Sequence, residues 1–147
     1  MPLWLIYHPE GTFSTSSSKQ SLVDDVTSFY TSSGLPAFYV VVNFVPLPPS
    51  NMFVGGKNPP ASRPFVRFVI DHLAVHQPSE KRMTFVAGKM AEMLLPHVEG
   101  WDWEFHVDET PRALWRINGI VPPPSECLSF LLGPNMRRFP STRDFFC

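Results

Sequence analysis

The chain is poor in the features that mark several classes of protein. It has only two cysteines, Cys127 and Cys147, which provide neither a disulfide framework nor a thiolate pair at metal-binding spacing. No apolar run is long enough to cross a membrane, and no basic stretch precedes the opening apolar segment as in a signal peptide. The net charge of −1 argues against nucleic-acid binding. We therefore expect a soluble, cytoplasmic protein.

Motifs for nucleotide binding, serine hydrolysis and metal binding are missing as well. No GxGxxG, P-loop or GxSxG pattern occurs. His72 and His76 have the four-residue spacing of zinc ligands on a helix. However, Pro78 and the preceding apolar segment disfavour a helix there, and no cysteine pair completes a tetrahedral site. We expect no metal and no cofactor.

The chain is instead rich in apolar residues and in proline. Hydrophobic residues make up 44% of its 147 residues, which suffices for one globular domain with a buried core. Its 17 prolines cluster at 46–49, 59–64 and 122–124, where they stiffen loops. The pattern predicts one domain over residues 1–124 and a weakly patterned tail over 125–147.

Two segments, residues 2–47 and 65–108, repeat the order strand, helix, strand. The predicted elements are strands at Pro2–His8 and Phe38–Leu47 around a helix at Ser17–Ser33, then strands at Phe65–His72 and Trp101–Val107 around a helix at Ser79–Leu95. Between the units, residues 51–56 are typical of a short strand or hairpin ending in a glycine turn. Since strand–helix–strand crossovers are right-handed, each unit is expected to contribute a parallel pair to one sheet.

Pro2 follows the initiator methionine and opens an apolar strand. A small second residue lets the methionine be removed, which would leave a secondary amine at the start of a buried strand. Burial disfavours a charged amine and lowers its pKa from the ordinary value of about 7.7–8.0. Such an amine can act as a general base near neutral pH without a cofactor. The alternative is a proline that only begins a strand, where its missing N–H costs nothing.

The order of these features resembles the tautomerase superfamily, and within it cis-3-chloroacrylic acid dehalogenase and a group of fungal tautomerase-like proteins. The resemblance covers about residues 2–124. It is carried by the segments 2–7, 38–44, 51–56 and 65–66, by Trp103 and Pro111, and by the stretches 102–106 and 108–122.

The resemblance implies an α+β fold in which duplicated β-α-β units form one mixed sheet with two helices on one face, as in macrophage migration inhibitory factor. It also implies a homotrimer, a small carboxylate substrate and no cofactor. The Pro2 amine would move a proton between the atoms of an enol or keto acid. Hydratase-like or dehalogenase-like chemistry on an unsaturated acid is an alternative, and so is a catalytically inactive binding or interaction protein.

The chain departs from the dehalogenase pattern at most of its pocket positions. Tyr30 stands where the resemblance implies a histidine on the first helix, and residues 71–76 stand where it implies paired arginines. The implied tyrosine falls near Phe105 or His106 and the implied glutamate near Ile117. Only Pro2 carries over, so dehalogenation of chloroacrylate is disfavoured.

Two arginines are candidates for binding a substrate carboxylate, since a guanidinium binds a carboxylate through two hydrogen bonds. Arg116 lies in an otherwise apolar stretch, and Arg67 lies in the middle of an apolar strand. Each also has a structural interpretation. Arg116 would pair with Asp108 or Glu109, and Arg67 would form a salt bridge between subunits.

Four other residues are candidates for contacting the substrate. His72 and His106 can each exchange a proton near neutral pH, although a single histidine in a strand is more often structural. Tyr30 can donate a hydrogen bond from the first helix, or it belongs to the apolar core. Asn118, beside Gly119, contacts substrate or simply forms a turn.

Overall fold

Four strands and two α-helices, with short 3₁₀ helices between them, form the fold of the described residues. The computed structural model describes residues 1–122, so the predicted tail at 125–147 lies outside the described residues. The elements are β1 (Pro2–Pro9), α1 (Ser16–Thr31), β2 (Val41–Leu47), β3 (Phe65–Leu73), α2 (Glu80–Leu94) and β4 (Asp102–Thr110). The strands form one sheet in the order β2-β1-β3-β4, and both helices pack on one face of it. The predicted α+β fold is therefore confirmed.

The sheet is mixed because two parallel pairs meet side by side. β1 is parallel to β2, β3 is parallel to β4, and β1 and β3 run antiparallel. In the antiparallel pair Pro2 lies opposite His72. The predicted strand–helix–strand repeat thus generates both parallel pairs, and the central pairing brings the start of β1 to the end of β3.

Hydroxyl side chains begin both helices. The side chain of Thr15 accepts a hydrogen bond from the Ser18 amide at the start of α1, and Ser79 accepts one from the Arg82 amide at the start of α2. After α1 the chain turns at Gly34, whose φ of +88° favours glycine. These caps satisfy amides that have no partner within the helix.

The core fills the space between the helices and one face of the sheet. Alternate residues of β1 and β3 point into it, and the helices contribute one apolar face each. The buried residues are Trp4, Ile6, Phe13, Leu22, Val26, Tyr30, Val66, Phe68, Ile70, Met90, Leu94 and Val98. Met83 of α2 is 44% exposed, although it lies two turns before the buried Met90 and so on the same side of the helix.

The second strand was predicted to start too early, whereas the hairpin predicted within residues 51–56 is present in a short form. Phe38 and Tyr39 lie in a short 3₁₀ helix that precedes β2, and they pack with Trp115 in a second apolar cluster. β2 itself is only partly buried because it forms an edge of the sheet. Residues 51–56 form no regular strand. The predicted glycine turn is present, because Val54 and Lys57 exchange both backbone hydrogen bonds around Gly55 and Gly56.

Neither α1 nor α2, the longer helices within residues 1–122, has the length and hydropathy that a membrane crossing needs.

A buried histidine lies at the far end of β1. His8 Nδ1 lies 3.2 Å from the Pro9 carbonyl oxygen and 3.0 Å from Thr12 Oγ1, which itself donates to that carbonyl. Nδ1 must therefore carry the proton. Nε2 has no hydrogen-bond partner within residues 1–122, and the ring packs edge-on against Phe13 and Phe44. Burial lowers the pKa of His8, with a smaller contribution from the charge of Lys19.

We expect the free energy of unfolding to fall as the pH drops below the ordinary histidine pKa of about 6.5. The unfolded chain binds a proton there that folded His8 resists, so stability is complete above that pH and declines below it. Urea unfolding from pH 7.5 to pH 5 measures this effect. His8→Asn should be less stable at pH 7.5 but lose less stability on acidification. An unchanged acid slope in His8→Asn would assign the effect to other groups.

Candidate functional site

A cavity opens where β1 begins and where β3 and α1 end. It has a volume of about 430 Å³. Its walls are Pro2, Phe29, Tyr30, Ser32, Ser33, Leu35, His72, Val75, Gln77, Arg82, Phe85, Val86 and Lys89. Three of the residues proposed from sequence, Pro2, Tyr30 and His72, therefore lie in one cavity.

A chain of hydrogen bonds joins the core to this cavity. Trp4 Nε1 donates to the Tyr30 hydroxyl over 3.2 Å, and the same hydroxyl lies 2.8 Å from His72 Nε2. Because an indole N–H can only donate, the Tyr30 oxygen accepts from Trp4 and its own hydrogen is available to His72. This network assigns the His72 proton to Nδ1, a buried atom without a hydrogen-bond partner among residues 1–122.

Burial keeps both partners of this hydrogen bond neutral. It lowers the pKa of His72, and the nearby Met1 ammonium lowers it further, while Glu109 opposes the shift. Burial also raises the pKa of Tyr30 well above its ordinary value of 10.0, despite the hydrogen bond from Trp4. At neutral pH the cavity therefore holds a neutral imidazole and a phenol that keeps its proton.

The first residue continues the antiparallel pairing at the edge of the cavity. The Met1 amine donates to the Leu73 carbonyl over 2.7 Å, and the Leu73 amide donates to the Met1 carbonyl over 2.8 Å. Burial lowers the pKa of the Met1 amine from 8.0 to about 5. The Met1 amine is therefore mostly uncharged at neutral pH.

Two cations of α2, Arg82 and Lys89, line the cavity and were not among the sequence candidates. They lie seven residues apart, which is about two turns, and so they share a face of the helix. That spacing is the only feature of the sequence that could have indicated these two cations as site residues. The same spacing is also found on ordinary helix faces that are exposed to solvent.

The structure does not bring Arg67 or His106 into this cavity. Both lie on the opposite face of the sheet, among the residues that line a second depression there. Arg67 Nε lies 2.5 Å from Glu104 Oε1, and His106 Nε2 lies 3.5 Å from Asp108 Oδ2. The alternation of side chains along β3 explains why Arg67 and His72 point to opposite faces.

Arg116 and Asn118 also lie outside the cavity. Arg116 is exposed, and its Nη1 donates to the carbonyl oxygens of Ala113 and Trp115 at 2.9 and 2.8 Å. Asn118 has a φ of +51° in the turn between the bridged residues Ile117 and Ile120. Its position matches the turn interpretation of the sequence.

His72 and His76 do not converge on a common point. His72 contacts Tyr30. His76 lies on the loop after β3, and its Nδ1 is 2.6 Å from Glu109 Oε2. The other carboxylate oxygen of Glu109 accepts from the Gln77 amide at 2.8 Å and so holds the loop beside the cavity. Within residues 1–122 no group of three or more histidine, cysteine, aspartate or glutamate side chains is arranged to bind a metal ion.

Comparison with known proteins identifies a family model and several solved structures that resemble this chain. The model Tautomerase_3, described as "Putative oxalocrotonate tautomerase enzyme", matches residues 1–129. Native RhCC from Rhodococcus jostii RHA1 is 41% identical over 84% of this chain and 88% of its own, with a TM-score of 0.76. A protein described as "a probable enzyme from the thermophilic fungus Aspergillus fumigatus" is 37% identical over 95% of this chain and 98% of its own, with a TM-score of 0.78.

A more distant structure shares the fold alone. N1, a member of the cis-3-chloroacrylic acid dehalogenase family, is 15% identical over 88% of this chain and 90% of its own, with a TM-score of 0.66. No curated protein matches this chain.

Proposed function

The chain belongs to the Tautomerase_3 family, and from that membership we propose that it is a cofactor-independent tautomerase acting on small enol or keto carboxylic acids. Its general base is the Pro2 amine, which becomes free once Met1 is removed. The resemblance in sequence further supports placing it in the cis-3-chloroacrylic acid dehalogenase-like group of fungal tautomerases.

The observation that supports this function is the shared cavity of Pro2, Tyr30 and His72. An uncharged Pro2 amine accepts the proton of an enol hydroxyl and returns it to the neighbouring carbon, which yields the keto acid without any other reactant. The neutral Tyr30 hydroxyl and His72 imidazole face the same space. The Tyr30 hydroxyl is the hydrogen-bond donor for the oxygen on which negative charge develops, and it donates by turning its one hydrogen from His72 Nε2 towards that oxygen.

We also propose that the protein is a homotrimer whose subunits meet through the second face of the sheet. That face carries apolar side chains that belong to neither core cluster of residues 1–122, such as Leu5, Val45 and Val69. Apolar surface of this kind is stabilised by burial against another subunit. Light scattering of the purified protein tests this assembly, and a monomer mass would contradict it.

The base is tested by the mass of the native protein together with its pH–rate profile. We expect intact-mass spectrometry to find a chain that begins at Pro2. Ketonisation of phenylenolpyruvate and of 2-hydroxymuconate should be measured on the same preparation. The kcat/KM value should rise with pH and reach a plateau by about pH 7, because burial at this end of β1 lowers an amine pKa from its ordinary 7.7–8.0.

Two results would contradict the proposal. Retention of Met1 would make the Pro2 nitrogen an amide, which has no basic lone pair. Carboxylate binding without turnover of either substrate would instead favour a non-catalytic binding protein.

A further inference from the structure

The cavity combines an apolar wall with positive charge and has no negative charge. Five of its lining residues are apolar side chains from α1, α2 and the segments that follow α1 and β3, namely Phe29, Leu35, Val75, Phe85 and Val86. Arg82 and Lys89 are its cations, and none of the lining residues is aspartate or glutamate. A ligand that fits must therefore be anionic at one end and apolar over the rest of its surface.

The two cations differ in how far they are already neutralised. Lys89 Nζ lies 2.7 Å from Glu92 Oε2 on the same helix. Arg82 forms no salt bridge within residues 1–122, and its guanidinium carbon lies 5.4 Å from the centre of the Phe85 ring. Arg82 is thus the cation that remains available for a carboxylate, and it is the residue type that binds a carboxylate through two hydrogen bonds.

Arg82 and Phe85 share one wall of the cavity, because residues three apart are neighbours on a helix. Phe29 contributes a second aromatic ring from α1, where it packs edge-on against Tyr30 with the ring centres 5.1 Å apart. A second carboxylate on the ligand would be desolvated against these rings, and it would have to compete with Glu92 for Lys89, the other cation that lines the cavity.

We infer that Arg82 anchors the single carboxylate of the substrate, and that Phe29 and Phe85 bind an aromatic or branched apolar substituent at its other end. The substrate class is therefore an apolar-substituted monocarboxylic enol or keto acid rather than a dicarboxylic one. This inference rests on the proposed function, because it takes the ligand to be the substrate of the proposed reaction. Its test measures binding alone and requires no turnover.

Unreactive saturated acids test the inference by calorimetry on the full chain. We expect 3-phenylpropanoate to bind at least about tenfold more tightly than the neutral 3-phenylpropanamide or the dicarboxylate adipate, since a charge-assisted pair and apolar burial are both required. Arg82→Gln should weaken 3-phenylpropanoate binding at least about tenfold and leave amide binding unchanged. Phe85→Ala should weaken the binding of 3-phenylpropanoate more than that of propanoate.

Arg63→Gln is the matched control. Arg63 is also exposed, but its Nη2 pairs with Asp102 Oδ1 at 2.7 Å and it does not line the cavity. Equal binding by the Arg82→Gln and Arg63→Gln proteins would overturn the inference, and so would tighter binding of adipate. Circular dichroism checks that each variant is folded.

The two proposals can fail separately. Arg82-dependent binding of 3-phenylpropanoate without ketonisation would refute the reaction and leave the ligand class standing. Ketonisation by the wild-type protein with kcat/KM unaffected by Arg82→Gln would refute the ligand class and leave the reaction standing. Repeating the titration with Pro2→Ala checks that binding does not depend on the base.

Discussion

Pro2→Ala should lower kcat/KM for ketonisation by about 10²–10⁴-fold, the range that a positioned general base contributes. The alanine variant still has an amine, but it lacks the ring that fixes the backbone and buries the nitrogen. The amine therefore loses its fixed position beside Tyr30 and His72, and proton transfer depends on that position. Steady-state kinetics with phenylenolpyruvate measure the change, and the loss should fall mainly on kcat.

A second variant removes the base without altering the proline. Insertion of one alanine between Met1 and Pro2 turns the Pro2 nitrogen into an amide. A residue before Pro2 fits the fold, because Met1 pairs there with Leu73 through two backbone hydrogen bonds. We expect this variant to be as inactive as Pro2→Ala yet equally stable to urea. Pro60→Ala, in an exposed loop away from the cavity, is the control and should keep full activity.

Full activity in both Pro2 variants would eliminate the amine as the base. The fold and the cavity would remain, and the chemistry would have to pass to another group. Full activity in the insertion variant alone would show that a proline side chain, and not its nitrogen, is what the site requires.

Tyr30→Phe should cost roughly 2–6 kcal/mol of unfolding free energy, because it leaves two buried groups without a hydrogen bond and each such group costs about 1–3 kcal/mol. In the wild-type protein these groups are Trp4 Nε1, which donates to the Tyr30 hydroxyl, and His72 Nε2, which lies within hydrogen-bond distance of it. A loss of this size is a large fraction of the stability of a typical domain, which is about 5–15 kcal/mol. Urea unfolding at pH 7.5 measures it.

Tyr39→Phe is a matched control, since it deletes the same atom from another buried tyrosine. Burial raises the pKa of Tyr39 to about 12, and its hydroxyl has no hydrogen-bond partner within residues 1–122. Its removal should change the unfolding free energy by less than about 0.5 kcal/mol or stabilise the fold, since an unpaired buried hydroxyl contributes nothing favourable. Equal losses in the two variants would mean that the hydrogen bonds of Tyr30 are not what stabilises it.

Ketonisation by Tyr30→Phe separates its two roles. If Tyr30 faces the developing charge as proposed, kcat should fall even at temperatures where the variant is fully folded. A variant that is less stable but fully active would restrict Tyr30 to a structural role.

The sequence predicted most of the secondary structure because the signals for it are local. The apolar periodicity of α1 and α2 and the β-branched run of β2 depend on neighbouring residues alone. The place of β2 in the sheet, by contrast, has no local signal. A strand with that composition fits the centre of a parallel sheet, but its place at the edge depends on which other strands pair with it.

The same distinction applies to the candidate site. The sequence alone was enough to select Pro2, Tyr30 and His72 as separate candidates, because their residue types and positions within predicted elements are local properties. Their meeting in one cavity depends on the antiparallel register of β1 and β3, which no local pattern specifies.

The choice among the cations depended on the tertiary structure too. Arg67 and Arg82 are alike as charged residues in a sequence, and only the packing of both helices on one face of the sheet leaves Arg67 on the other face and brings Arg82 to the cavity.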